Sequence, residues 1–201
     1  MKPLEQKRKV DFAALREWVG EGERVLDLGC GRGVLLHDLK QLKSIYGLGV
    51  DLNPEKIAGC VRRGVPAYQG DIEKILAEFP DDFFDWVVCS RTLPELSRPA
   101  HVLDEALRVG RHVAIGFVNH GFWKNRLNML LEGRRIRNDV FPERWYESRP
   151  TNPVSIADFE EFCAQHAITI ARRLYLSADW ESPQRYWPSL LAGYAIYELS
   201  R

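Results

Sequence analysis

Short apolar runs alternate along the chain with longer segments whose apolar residues recur at helical spacing. Phe12, Leu15 and Val19 predict a helix near Val10–Val19, with Asp11 near its start and Gly20 and Gly22 ending it. Arg24–Leu28 is a short apolar strand that runs into Gly29-Cys30-Gly31-Arg32-Gly33, and Val34–Leu39 reads as the helix that follows. Ile45–Val50 is a second strand ending at Asp51. Pro54–Arg63 is a second such helix, with Pro54 in its first turn. Val65–Gln69 is a short third strand, followed by Gly70-Asp71 and a helical piece over Ile72–Ala77. Phe84–Ser90 is the most continuously apolar strand, Ala100–Val109 a helix and His112–Val118 a fifth strand.

The last third changes character. Gly121–Gly133 is predicted helical, with Phe122, Trp123, Leu127, Leu130 and Leu131 on one side. Residues 134–153 are basic, aromatic and Pro-containing, and read as an irregular excursion. The pair Ser155…Asp158 resembles a capping box and opens a helix over Ser155–His166. Ile168–Leu176 and Leu191–Leu199 are two closing strands joined by a polar, aromatic loop. Strict alternation of strand and helix predicts an α/β protein with a doubly wound parallel sheet.

Composition narrows the partners rather than the fold. The 201 residues carry 28 Lys+Arg and 28 Asp+Glu, so the formal net charge is zero, without the global positive field of a nucleic-acid binder. At 45% hydrophobic the chain sustains one full-sized core. No stretch approaches the ~18 apolar residues of a membrane span. The basic N-terminus has no apolar run after it, so it does not read as a secretory signal. Cys30, Cys60, Cys89 and Cys163 form no CxxC pair; a reduced, cytoplasmic setting is the simplest account, and no metal site is predicted.

Three positions at the ends of the first three strands carry candidate chemistry. Asp27-Leu28-Gly29-Cys30-Gly31-Arg32-Gly33 places glycines at every second position, where the backbone turns tightly and a ligand lies against it unhindered. The helix that follows aims N–H groups at the same spot. The spacing differs from the Gly-x-Gly-x-x-Gly that cradles a pyrophosphate, and Asp27 suits a cationic ligand better. Asp51, ending strand two, is placed to accept two hydrogen bonds from a ribose diol, with Leu52 against an adenine face. Its competing reading is a cap for the helix at Pro54, a role open to Asn53 as well. In Gly70-Asp71-Ile72 the carboxylate can accept from an adenine amino group and the Ile72 N–H can donate to a ring nitrogen. The competing reading is a plain turn.

Taken together, Asp27 through Gly33, then Asp51, then Asp71, resemble a class I S-adenosylmethionine-dependent methyltransferase. Segments Gly64-Val65…Gln69-Gly70-Asp71, Phe79–Asp85, Leu107–Arg111, Gly121-Phe122-Trp123 and Glu143-Arg144-Trp145-Tyr146 are similar to the MetW family of methionine-biosynthesis proteins. The match runs from about Arg24 to about Ile170. It implies one methyltransferase-like domain over residues 1–201, with a helical or irregular insertion at about 120–153. It also implies a Rossmann-like, seven-stranded, mostly parallel sheet with a C-terminal antiparallel hairpin. The cofactor is expected to be S-adenosylmethionine or S-adenosylhomocysteine, held by Asp27, Gly29, Cys30, Gly31, Gly33, Asp51, Leu52, Asp71, Ile72 and Ser90. Two departures stand out: Arg91 lies where the family carries a neutral Gln, and no histidine appears between Arg149 and Phe159.

Methyl transfer from a sulfonium asks the protein chiefly to align the reactants, with a general base only where the acceptor must lose a proton. Ser90 and Arg91 after strand four, and Asn119 and His120 after strand five, are the candidates, His120 foremost. The competing reading is a solvent-facing loop histidine. Tyr146 and Trp145 are placed to close over an acceptor, or to pack the excursion onto the core. Lys124, Arg126, Arg134, Arg135 and Arg137 read first as a solvated helix face. The family resemblance implies a partner of homoserine O-acyltransferase with a regulatory input from S-adenosylmethionine. The alternative is a free-standing methyltransferase acting on a small molecule. An NAD-dependent dehydrogenase fits poorly, since the glycine spacing is wrong and position 150, four residues after Tyr146, is Pro rather than Lys.

Overall fold

A computed structural model describes residues 4–133, 144, 146–147 and 151–201, with side chains from Asp11 onward. Helix α1 (Leu4–Trp18) leads into β1 (Arg24–Leu28), α2 (Val34–Lys43), β2 (Tyr46–Asp51), α3 (Pro54–Arg62) and β3 (Ala67–Gln69). Then come α4 (Ile72–Ile75) with a 3-10 turn at Leu76–Glu78, β4 (Phe84–Ser90), α5 (Pro99–Val109) and β5 (Gly110–Val118). The chain closes with α6 (Trp123–Glu132), α7 (Ile156–Gln165), β6 (Thr169–Leu176), α8 (Pro188–Leu191) and β7 (Tyr194–Ser200). The strands form one seven-stranded sheet in the order β3-β2-β1-β4-β5-β7-β6. Neighbours from β3 through β5 run parallel, and β7 is antiparallel to both β5 and β6.

Strand alternation sorts side chains to two faces. Trp86 and Val88 of β4 pack with Leu15 and Val19 of α1, Leu35, Leu36 and Leu39 of α2, and Cys60 of α3. Val87 and Cys89 point the other way, to Leu103 and Ala106 of α5 and Phe159 and Cys163 of α7. Helices therefore cover both faces, as the alternation requires. The sheet order reverses at β1, and a crevice opens there at the carboxyl ends of the strands, where ligands bind in such sheets.

The differences from expectation are local. Helix α1 begins six residues earlier than the apolar repeat, because Leu4–Lys9 are mostly polar residues of good helix propensity that carry no apolar period. The last strand starts at Tyr194 rather than Leu191, since Pro188 opens the one-turn α8 after Trp187 in the left-handed region (φ 43°). The apolar side of α6 is largely exposed: Trp123 is 40% and Leu130 80% accessible. Polar anchors hold this helix instead. The Asn125 amide donates to the carbonyls of Asn119 and His120, and Arg126 donates to those of Gly121 and Ser189.

The expected capping box is present at α7. The Asp158 N–H donates to Ser155 Oγ at 3.1 Å, and the Ser155 N–H donates back to Asp158 Oδ2 at 3.3 Å. Ser155→Ala is expected to cost about 1 kcal/mol, read as a thermal midpoint lower by roughly 2–4 °C.

Candidate functional site

The crevice is a cleft of about 470 Å³ at the ends of β1, β2 and β4. Its floor is the turn between β1 and α2. Gly29, Gly31 and Gly33 take φ of 79°, 59° and 71°, a region that side-chain-bearing residues rarely enter. A β-carbon on Gly29 would strike the Thr92 side chain, and one on Gly33 would come within 3.0 Å of Cys60 Sγ. Gly31 differs. It is buried and lies on the cleft wall, yet a β-carbon there meets no atom within 4 Å. Two glycines are thus needed for packing, and Gly31 leaves open the space a ligand would fill.

Asp51, 5% exposed, ties this turn to the end of β2. Its Oδ2 accepts from the Gly31 N–H at 3.0 Å and from Lys56 Nζ at 3.2 Å, and its Oδ1 accepts from the Asn53 N–H at 2.9 Å. A carboxylate offers about four lone-pair directions, so one is left beside these three for a hydroxyl donor, and a ligand that displaces the exposed Lys56 ammonium frees a second. The cap of α3 is Asn53, whose side chain accepts from the N–H groups of Glu55 and Lys56. That frees Asp51 from the capping role weighed for it. Asp27, also 5% exposed, stands on the wall at the end of β1.

Behind the turn, Cys30 Sγ lies 3.8 Å from Cys60 Sγ. Burial, with the Asp27 charge adding to it, pushes the Cys30 thiol up, and burial does the same to Cys60. Both therefore pack as neutral thiols rather than nucleophiles.

Of the ten residues expected to hold a cofactor, Asp27, Gly29, Cys30, Gly31, Asp51, Leu52, Ile72 and Ser90 line the cleft. Gly33 sits just behind them, at the start of α2. Asp71 caps α4, accepting from the Glu73 N–H at 3.0 Å, and is not on the wall. Phe12, Lys56, Thr92, Val118 and Thr151 also line the cleft. Sequence reasoning had no signal for them, since each reaches the cleft from a different element.

Of the catalytic candidates, Ser90 and Arg91 line the cleft, and the others lie elsewhere. His120 is off the cleft wall; its N–H donates to the Val154 carbonyl and its own carbonyl accepts from Asn125. Tyr146 is exposed, and its hydroxyl accepts from Arg144 Nη1 at 2.6 Å. Asn119 is a buried clamp: its amide donates to the Ser189 and Ala192 carbonyls, and its side-chain oxygen accepts from the N–H groups of Gly121 and Ile156. Trp145, Arg134, Arg135 and Arg137 fall outside the described residues. Among the described residues no helix is long and apolar enough to cross a membrane.

The chain is similar to the bifunctional methionine biosynthesis protein MetXA/MetW of Rhodopirellula baltica, 29% identical over 179 residues, covering 85% of this chain and 29% of that protein. It is 26% identical over 149 residues to the ubiquinone biosynthesis O-methyltransferase of Proteus mirabilis, covering 68% of this chain and 60% of that enzyme. The chain therefore spans less than two thirds of the length of either relative. In fold it is similar to the putative methyltransferase solved in complex with the Trm112 activator of Haloferax volcanii. That match has TM-score 0.71 and 19% identity, and covers 98% of this chain and 90% of that one. The family model described as methionine biosynthesis protein MetW matches residues 9–199, and with the sheet order and the glycine turn in place, the chain belongs to the MetW family.

Proposed function

We propose that the cleft binds S-adenosylmethionine, and that through it the protein serves homoserine O-acyltransferase as a ligand-responsive partner in methionine biosynthesis. The observation that carries the ligand assignment is the glycine turn pinned to buried Asp51, with open space over Gly31. In this reading Asp51 accepts from the ribose hydroxyls, Leu52 covers an adenine face, the Ile72 N–H donates to a ring nitrogen and Asp27 faces the ammonium of the methionine part. When bound, S-adenosylmethionine supplies an activated sulfonium methyl. His120 and Tyr146 stand off the cleft wall, and the candidates on it are Ser90, whose hydroxyl already donates to Asp11, and Arg91, a permanent cation; neither suits a general base, which favours a binding role over a catalytic one.

The partnership is supported by the Rhodopirellula baltica relative, a bifunctional MetXA/MetW protein. Joining two units in one chain raises the effective concentration of each at the other, which suits units that touch. The experiment is co-purification of this protein with the homoserine O-acyltransferase of the same genome, with and without S-adenosylmethionine. A stable complex, with acyltransferase activity that changes on ligand addition, is the expected result. No complex and no effect on activity would move the reading to the free-standing methyltransferase, which the likeness to the Proteus mirabilis O-methyltransferase supports.

A further inference from the structure

The apolar stripe of α6 lies exposed between two cations. At about 100° of turn per residue, Trp123, Leu127, Leu130 and Leu131 fall within about 100° of one another around the helix. Lys124 borders the stripe on one side and Arg126 on the other, while Glu132 falls roughly opposite it. The four apolar residues and both cations are exposed, Leu130 and Leu131 at 80% and 72%. Asn125 is the member turned inward.

A second element extends the stripe. Arg126 Nη2 donates to the Ser189 carbonyl at 3.2 Å, so the Arg126 side of the stripe borders α8. Trp187, two residues before Ser189, is 76% exposed, and Arg185 and Tyr186 before it are exposed as well. Among the described residues no carboxylate pairs with Lys124, Arg126 or Arg185, so the rim keeps its positive charge. An apolar patch drawn from two elements and rimmed by polar groups marks a contact surface, and exposed tryptophans supply the anchors such contacts use.

The rim selects the occupant. A second copy packed on this face by a two-fold axis would set the cations against their own kind. A lipid surface is met by cations free to reach its headgroups, whereas the Arg126 guanidinium is spent on the Gly121 and Ser189 carbonyls. What fits is a protein surface with an apolar centre and carboxylates around it. The base of α6 also joins this face to the cleft. Val118 and Thr151 line the cleft. The Asn119 and His120 carbonyls, directly after Val118, hold the Asn125 amide, and the His120 N–H donates to the carbonyl of Val154, three residues after Thr151. The helix is thus seated on two stretches that a cleft ligand would touch.

We infer that the α6 stripe and Trp187 form the face on which the acyltransferase docks, through an apolar surface of that enzyme bordered by acidic groups. The inference rests on the partnership proposed above and adds to it the surface that makes the contact. It also gives that contact a physical route to the cleft, through the Asn119–His120 and Thr151–Val154 stretches that carry α6.

The test titrates the full chain and its variants against the homoserine O-acyltransferase of the same genome, with S-adenosylmethionine present. Leu130→Glu is expected to weaken the complex about 30-fold, as for a residue at the centre of an interface. Lys124→Glu is expected to weaken it about 5-fold and to flatten its loss of affinity as salt is raised. Leu42→Glu, at an exposed leucine of α2, should bind as the wild type does. All three sites are exposed, so melting midpoints and S-adenosylhomocysteine affinity should stay at wild-type values. Wild-type affinity for the acyltransferase in both α6 variants would overturn the inference, as would an equal loss in Leu42→Glu. Should Leu130→Glu fail to fold, Lys124→Glu decides alone. A dimer of this chain that Leu130→Glu dissolves, with the acyltransferase complex intact, would give the face to a second copy. Binding to phosphatidylcholine–phosphatidylglycerol vesicles that Leu130→Glu abolishes, again with the complex intact, would give it to lipid; either result overturns the inference. Failure of the wild type to bind the acyltransferase at all would instead remove the underlying partnership, and this inference with it.

Discussion

Asp51→Ala is expected to bind S-adenosylhomocysteine at least ~100-fold more weakly than the wild type, with a thermal midpoint lower by only a few degrees. The loss has two parts. Two ribose hydroxyls lose a charged acceptor, and hydrogen bonds to charged groups are worth about 1.5–3 kcal/mol each, where 1.4 kcal/mol is tenfold in affinity. The Gly31 N–H also loses the acceptor that pins the turn to β2, so the floor of the cleft is less well ordered for its ligand. Stability changes little, because Asn53 and Lys56 are exposed and water takes over their bonds, while the Gly31 N–H opens onto the cleft. Calorimetry gives the affinity and a melting curve gives the stability. Wild-type affinity in the variant would place the ribose elsewhere.

Asn119→Ala should act in the opposite way, destabilising the protein by about 3–5 kcal/mol through three orphaned backbone groups, the Ala192 carbonyl and the Gly121 and Ile156 N–H groups, while the Ser189 carbonyl keeps Arg126. The side chain of Asn119 is the common partner of Ser189, Ala192, Gly121 and Ile156, which belong to three separate stretches of chain. Ile156 opens α7, so its N–H has no partner within its own helix. Each unpaired buried group costs about 1–3 kcal/mol, and the local shifts open to these loops recover only part of that. The check is the denaturant midpoint at unchanged slope. A loss under about 1 kcal/mol would show that the loops re-pair without the clamp. It would also return Asn119 to the list of groups free to act on a ligand.

The sequence was most legible where the determinants are neighbours in the chain. Arg24–Leu28 and Phe84–Ser90 have the bounds their apolar runs predict, and the turn at 29–33 shows its purpose in its glycine spacing alone. The capping box of Ser155 and Asp158 was readable for the same reason. The network in which Asp11 accepts from Ser90 and Tyr194 and pairs with Arg91 was not, since Asp11 and Tyr194 are 183 residues apart and nothing local to either marks the pairing. Phe12 is likewise an ordinary member of an apolar repeat until α1 carries it to the cleft. Asp71 shows the limit of local reading from the other side. The same Gly-Asp step serves a ligand or a helix cap, and here its carboxylate accepts from the Glu73 N–H. In α6 the spacing of Trp123, Leu127 and Leu130 gave a helix correctly. Spacing does not say whether an apolar side finds a partner, and the buried member of that helix is Asn125.

The central claim is that the glycine turn, Asp51 and Asp27 form a binding site for an adenosyl amino acid. The most direct measurement is a calorimetric titration of the wild-type chain with S-adenosylhomocysteine, repeated in the presence of S-adenosylmethionine and of NAD. Saturable binding at one site per chain, competed by S-adenosylmethionine and untouched by NAD, is the result the structure calls for. No heat and no saturation with S-adenosylhomocysteine, or displacement of it by NAD, would contradict it.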